Sequence, residues 1–346
     1  ADSAVRYFQQ VVLSTENDKT LGAQNANRWP ALRGLVDLFV ATHRLDSARA
    51  YLRRLQADVV TDNPGIRRTW DYRIQWSAGR LHLASGDLDS ARTQFAGAAK
   101  AATGLDRANL LATLAAVEGR TGHIDSALTH RRQSMAQSQR NRQYEAANFR
   151  GLAITFHQIG LMDSALVYLR EASSRSQSEY DRDGMRSALQ ASAVVFLDAD
   201  MLDSSLIYSR QALAIAKEMD SPTPSAELHN SIGLTYLSIG QLDSARVYFA
   251  RALSQHQLIG DMGGEAAALA NLGFLRLKET ADDSTFALLH RALQRRVRSQ
   301  DKAAEAVPRL HLARAHARAG RADSSMAYSR LALALARAVR GRSLEG

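Results

Sequence analysis

Residues 240–252 read Gly-Gln-Leu-Asp-Ser-Ala-Arg-Val-Tyr-Phe-Ala-Arg-Ala, and the Asp-Ser pair inside them, at Asp243, is one of nine that share this setting. The others begin at Asp2, Asp46, Asp89, Asp125, Asp163, Asp203, Asp283 and Asp323, and from Asp163 onward they fall every 40 residues. A near-constant spacing of this length marks a chain built by stacking one small unit, so each residue takes its meaning from its place in the repeat. The period predicts a solenoid.

Within one unit, Leu228, Ile232, Leu234, Tyr236 and Leu237 recur at helical spacing, which predicts a helix A over 226–239. Gly240 stops it, since glycine reaches the left-handed conformation favoured just past a helix end. Asp243 reads as the cap of a helix B running from Ser244, its carboxylate accepting a backbone N–H one turn in. Ala245, Tyr248, Phe249 and Ala252 share one face of B, and the two helices make an antiparallel hairpin. Small residues stand where the pair must touch: Gly79, Gly233 and Gly273 in three copies of A, alanine at 115, 153, 193 and 313 in others, and Ala48, Ala91, Ala127, Ala165 and Ala245 in B. A tyrosine follows the aspartate by five residues at Tyr7, Tyr51, Tyr168, Tyr208, Tyr248 and Tyr328.

Gly233, Gly240, Ala245, Phe249 and Ala252 together resemble the tetratricopeptide repeat. The stretch Gly-Asp-Met-Gly-Gly-Glu-Ala at 260–266, leading into Asn271-Leu272-Gly273, resembles its 40-residue subclass, found in cell-polarity adaptors, kinesin light chains and bacterial arrays attached to caspase-like or signalling domains. The resemblance implies an all-α fold, an α-solenoid of antiparallel hairpins wound as a right-handed superhelix. It also implies a non-catalytic scaffold that holds a peptide or a partner domain in a concave groove. Two departures stand out. The proline that usually closes helix B is missing, and Arg131 and Ser134 occupy packing positions, which predicts a weak joint there.

The sequence predicts a single array over 1–346: a half repeat at 1–15, a linker at 17–27, about eight hairpins from 23 to 340, and the start of a truncated repeat at 341–346. Residues 220–224, Asp-Ser-Pro-Thr-Pro, read as a loop. Solenoids usually end in polar capping helices, and none is evident here, so the array is expected to be an excerpt of a larger bacterial multidomain protein.

Composition narrows the chemistry. No cysteine is present, which excludes disulfides, thiolate metal sites and a cysteine nucleophile. There is no apolar run of the length that spans a bilayer, so no membrane insertion is expected. The opening Ala-Asp-Ser-Ala-Val lacks a basic and apolar leader, so a targeting peptide is expected to be absent or already removed, and the cytoplasm is slightly favoured over the periplasm. The net charge of +9 lies wholly within residues 290–346, where it reads either as a solvated arginine-rich surface or as an attractor of an acidic partner or a nucleic-acid backbone.

Nine Asp-Ser pairs and ten histidines invite a hydrolase, but a catalytic triad does not recur nine times at one structural position. His311 and His316 are five apart, not the four that puts two ligands on one helix face, and no phosphate loop or dinucleotide fingerprint occurs. No enzyme activity, metal or cofactor is expected. The candidate binding residues are those of helix A that do not pack inward: Arg33, Asp37, Arg73, Trp76, Arg80, Arg150, His157, Gln190, Asn230, Asn271, Arg314 and Arg318. Arginine suits carboxylates through its planar fork, and asparagine suits peptide backbone because it donates and accepts. The carboxylate clamp of the family is not reproduced, which disfavours a chaperone C-terminus. The expected partner is a protein or peptide, an acidic one included. Two further readings stay open: a regulatory arm acting on an adjacent domain of a bacterial effector (caspase-like protease, kinase or transcription regulator), and nucleic-acid binding through the basic end.

Overall fold

A computed structural model describes residues 2–16, 23–42, 44–61, 63–138, 142–299 and 303–341, and the regular structure among them is entirely helical. It divides into two compact units, Ala1–Gln137 and Ser138–Gly346. The first holds α1 (Asp2–Glu16), α2 (Ala23–Ala41), α3 (Leu45–Asp58), α4 (Pro64–Ala84), α5 (Leu88–Ala101), α6 (Gly104–Arg120) and α7 (Ile124–Ser138). The second holds α8 (Arg142–Gln158), α9 (Met162–Ser178), α10 (Arg182–Asp198), α11 (Leu202–Glu218) and α12 (Pro222–Ile239). It continues with α13 (Leu242–Ile259), α14 (Met262–Glu279), α15 (Asp283–Arg298), a 3-10 turn at Ala303–Glu305, α16 (Ala306–Arg318) and α17 (Ala322–Gly341). Even-numbered helices are the A helices of the repeat and odd-numbered ones the B helices. The division falls just after the copy that carries Arg131 and Ser134, both buried, with the Ser134 hydroxyl donating to the Ala108 carbonyl at 2.8 Å. The expected linker residues 17–22, the turn at His43 and the start of a further repeat at 342–346 lie outside the described residues.

Three sequence expectations are corrected. Residues 23–27, expected in the linker, are the first turn and more of α2. Pro222, Thr223 and Pro224, expected in a loop, open α12. Proline fits a first turn because its missing N–H would have no acceptor there and its φ is already helical. The third correction concerns the Asp-Ser pair itself. Helix B begins at the apolar residue before the aspartate (Leu45, Leu88, Met162, Leu202, Leu242), so the aspartate lies inside the first turn. The cap positions Arg44, Leu161, Met201 and Gln241 make no side-chain cap bond. That apolar residue is drawn into the hairpin core, Leu45 fully so, and it carries the helix start with it. The aspartate instead places negative charge at the positive end of the helix dipole and pairs with an arginine one turn on, Asp46 with Arg49 at 2.9 Å and Asp243 with Arg246 at 3.4 Å. Side-chain caps occur elsewhere, at Asn63, Asp87, Asp181, Asp261 and Asp282.

Contact between A and B is set by a bare Cα facing a large side chain. A Cβ added to Gly233 would lie 2.6 Å from the Phe249 ring, one on Gly79 2.7 Å from Phe95, and one on Gly273 2.5 Å from Leu289. Phe95, Phe249 and Leu289 are fully buried. A second contact recurs nearer the hairpin turn, where an aromatic of A meets the tyrosine of B: Phe39 with Tyr51, Phe156 with Tyr168, Phe196 with Tyr208, Tyr236 with Tyr248 and His316 with Tyr328, all with ring centroids 5.0 to 5.5 Å apart.

Between hairpins of the second unit, A helices touch A helices: α8 meets α10, α10 meets α12, α12 meets α14 and α14 meets α16. The B helices pack on A helices and make no comparable contact with one another. The A row is therefore the tighter side of this unit, and the B row is splayed.

Replacing a helical glycine by alanine ordinarily gains stability, about 0.5–1 kcal/mol. At Gly233 the Phe249 ring stands in the way, and overpacking of about 1–3 kcal/mol outweighs that gain. Gly233→Ala is expected to lower the urea midpoint, and to lose that effect in a Phe249→Leu background, the Ala-Leu combination already present at Ala153 and Leu169. An unchanged midpoint in the single variant contradicts the packing account.

Candidate functional site

In the first unit, α2 and α4 bring five of the predicted residues to one place. Asp37 on α2 accepts from Arg80 on α4 at 2.9 Å and lies 3.8 Å from Arg33. The Arg33 guanidinium sits over the Trp76 ring at 5.5 Å, and Arg73 over Trp70 at 5.4 Å. One carboxylate is thus shared by two arginines. The cluster carries excess positive charge beside a half-buried indole, an arrangement able to take a further carboxylate.

In the second unit the predicted residues fall along successive A helices, and four of them, His157, Gln190, Asn230 and Asn271, bond across to a neighbouring A helix. His157 on α8 meets Asp198 on α10 at 2.9 Å, Gln190 on α10 donates to Glu227 on α12 at 3.2 Å, and Asn271 on α14 donates to Asn230 on α12 at 2.9 Å. Each step joins helices one repeat apart, so these side chains form a ladder across the A row. Gln190, Glu227 and Asn230 also line an open cleft of about 330 Å3, with Gly263, Ala267 and Arg296 on its far wall. Arg150 makes no hydrogen bond or ion pair with the described residues, and burial pushes its guanidinium below the ordinary value, with the charge of Arg186 acting the same way and the carboxylates of Asp183 and Asp181 opposing it. A half-buried cation that no carboxylate bonds directly can still take up an anion.

Arg314 and Arg318 behave differently. Arg314 lies over the Phe274 ring at 5.7 Å, with Lys278 over the same ring at 5.4 Å. Arg318 donates to the carbonyls of Leu277 and Glu279, satisfying the C-terminal end of α14, so its guanidinium is largely used within the fold. The same holds for much of the basic end. Arg291 and Arg295 both hold the buried Glu265, Arg309 holds Glu305, and Arg321 covers Phe286.

Sequence reasoning missed an apolar column beside this ladder. Ile154, Val194, Leu234 and Phe274 occupy one position of helix A at 40-residue intervals. Ile154 is 45% and Val194 38% exposed, while Leu234 and Phe274 are half-buried. The signal was available as a column of aligned repeats, but arginine and asparagine drew attention to the polar columns on either side. His311 continues the surface, its ring stacked on Phe274 at 4.6 Å. Among the described residues, no group of three or more His, Asp or Glu side chains is placed to hold a metal ion, and no helix is long and apolar enough to cross a membrane.

Similarity to known proteins agrees with this architecture. The tetratricopeptide-repeat family profile matches residues 226–255. No curated protein matches the chain in sequence. Among solved structures, the Rap conjugation gene regulator of plasmid pLS20, in complex with the Phr* peptide, superposes with a TM-score of 0.66 at 10% identity, over 98% of this chain and 95% of that one. A Rap protein complexed with Competence and Sporulation Factor gives 0.57 at 13% identity, over 91% and 99%. A STAND protein from Pyrococcus horikoshii with a tetratricopeptide repeat sensor gives 0.57 at 13% identity, over 99% of this chain and 55% of its own. The chain is an all-helical solenoid of tetratricopeptide-like repeats.

His311 provides a pH handle on this face. Burial, and then the charge of Arg314, lowers it from 6.5 to about 4 in the folded chain. A histidine held neutral in this way contributes stability that is complete above its unfolded value and is lost as pH falls through the folded one. The melting temperature is expected to fall between pH 6.5 and 4, and His311→Phe, which keeps the stack on Phe274, should flatten that fall. Parallel pH profiles for variant and wild type refute the assignment.

Proposed function

We propose that the A row binds an extended peptide or a peptide-like segment of a partner protein, and that the chain acts as a non-catalytic interaction scaffold. One observation carries this: in the second unit the apolar column Ile154, Val194, Leu234 and Phe274 runs alongside a ladder of amide and charged side chains bridging the same helices. An extended chain lying along such a surface would meet apolar footholds at each repeat and donors and acceptors for its backbone beside them. Arg150 in the second unit and, separately, the Arg33, Asp37 and Arg80 cluster in the first favour acidic side chains. The two Rap structures support the reading, since one is in complex with the Phr* peptide and the other with Competence and Sporulation Factor. Within this reading Phe274 is the anchor, because half-buried aromatics flanked by cations dominate binding energies at such surfaces.

Peptides selected from a random displayed library on the immobilised protein provide the test. Affinity of the selected peptides is expected to drop about tenfold or more with Phe274→Ala and with Arg150→Glu, and to be unchanged by Val247→Ala on the outer B side. Selected peptides that tolerate both A-row substitutions would move the binding surface elsewhere.

A further inference from the structure

The splayed B row carries one interruption. At the position ten residues after the Asp-Ser aspartate, α11, α13 and α15 place Leu213, Leu253 and Leu293, whereas α9 places Ser173. On the A helices, Leu152, Ile232, Leu272 and Leu312 share a column in which α10 has Ser192. Leu213, Leu228 and Ile232 pack into one core cluster in the next repeat, and their counterparts one repeat earlier are Ser173, Ala188 and Ser192. Three large apolar side chains are thus replaced by small ones at a single place.

The result is a cleft of about 320 Å3 that opens between α9 and α11 over α10. Its floor stays apolar, with Leu166, Leu169, Leu189 and Phe196, while Ser173, Ser192, Tyr208 and Arg170 bring polar atoms to its walls and rim. No acidic side chain lines it. Nearby, Ser209 stands in the column of Leu169, Phe249 and Leu289, fully buried with no hydrogen-bond partner for its hydroxyl.

Arg170 completes the case. One repeat on, Arg210 donates to the Tyr236 hydroxyl at 2.6 Å. The counterpart of that tyrosine beside Arg170 is Phe196, which has no hydroxyl to offer, and Arg170 makes no hydrogen bond or ion pair with the described residues. A hollow of this size with an apolar floor, polar walls that also include Ser174, Gln177 and Gln211, and one unpartnered guanidinium at its edge matches the chemistry of a small amphipathic anion. We propose that the cleft between α9 and α11 is a binding site for a small monocarboxylate with an apolar body, its carboxylate on Arg170 and its hydrocarbon part on Leu166, Leu169, Leu189 and Phe196. The site takes Leu189, Ser192 and Phe196 from α10 and the rest of its lining from α9 and α11, and it shares no residue with the apolar column Ile154, Val194, Leu234 and Phe274.

The test is a titration of methyl-labelled full chain with phenylacetate, 3-phenylpropionate and octanoate, observing the leucine methyl signals of Leu166, Leu169 and Leu189. At least one acid is expected to give saturable shifts at these methyls. Ser173→Leu installs the residue the other repeats already accommodate, so it should fold, raise the melting temperature and abolish the shifts. Arg170→Gln, on the exposed rim, should weaken the acid about tenfold and leave 3-phenylpropanamide unaffected. The proposal is overturned by any of three results: no saturable shift with any acid, binding that survives Ser173→Leu, or equal affinity of acid and amide.

Discussion

A ring edge resting on a bare Cα sets the geometry from which the rest of the molecule follows. Where Phe249 meets Gly233 and Phe95 meets Gly79, the helices of a hairpin are held at a distance that one extra methyl group would change. Other copies reach the same approach by different sizes: Ala153 opposite Leu169, and Ala193 opposite Ser209. The pairing is one of complementary volumes, so neither column is constant by itself while the hairpin geometry is. Arg131 stands in this B column opposite Ala115, and the chain divides into its two units a few residues later. A long charged side chain in the place of a phenylalanine or leucine alters the contact on which the regular hairpins depend.

Once the hairpins have one shape, stacking them makes two unequal surfaces. In the second unit the A helices are close enough for side chains one repeat apart to bond directly, as Asn230 and Asn271 do. A surface of this kind is preorganised: its side chains hold each other's rotamers, and a ligand need not order them. The same bonds carry a cost for recognition, because a group already satisfied gains little from a new partner. Under the proposed function Gln190, Asn230 and His157 therefore act as a frame, and Arg150 with the apolar column as the parts that a peptide would contact. On the B side the helices are separated, and the gap is normally closed by a leucine from each repeat. Where serine replaces it, the architecture itself opens a cleft.

The period and the small-residue columns made the fold legible in the sequence, because both are properties of residue type at a fixed spacing. The helix starts were less legible. Aspartate before serine has the chemistry of a cap, yet the leucine in front of it is pulled into the core, and burial of an apolar side chain outweighs a cap bond of about 1 kcal/mol. The ring pairs are half visible in sequence: the tyrosine of B stands at a fixed spacing, but its partner on A changes among Phe, Tyr and His and shows only when the two helices are folded together. The A-row polar residues are legible by type and by face, while the apolar column between them is not, because apolar residues on a helix read first as core. The B-side cleft could not be seen by type at all. It needs the columns compared for volume, and it appears only where three small residues on two helices coincide.

The basic end shows the same principle acting on charge. Formal charge counted along a sequence treats every arginine as available, but Glu265 is almost fully buried and takes both Arg291 and Arg295, with Gln257 donating to the same carboxylate at 3.1 Å. A buried carboxylate needs such company, since desolvation would otherwise drive it to protonate. Arg314 and Arg321 lie on aromatic faces, and Arg318 closes the end of a helix. Several of the cations that make this end positive are thus structural members whose outward field is reduced by what they already hold. By contrast, Arg150 and Arg170, in a stretch of sequence with no net excess, bond to no side chain among the described residues, although the carboxylates of Asp183 and Asp181 act on Arg150 through space. Electrostatic recognition depends on how many donors remain unpaired at a particular place, so net charge counted along a sequence does not by itself locate the groups that attract a ligand.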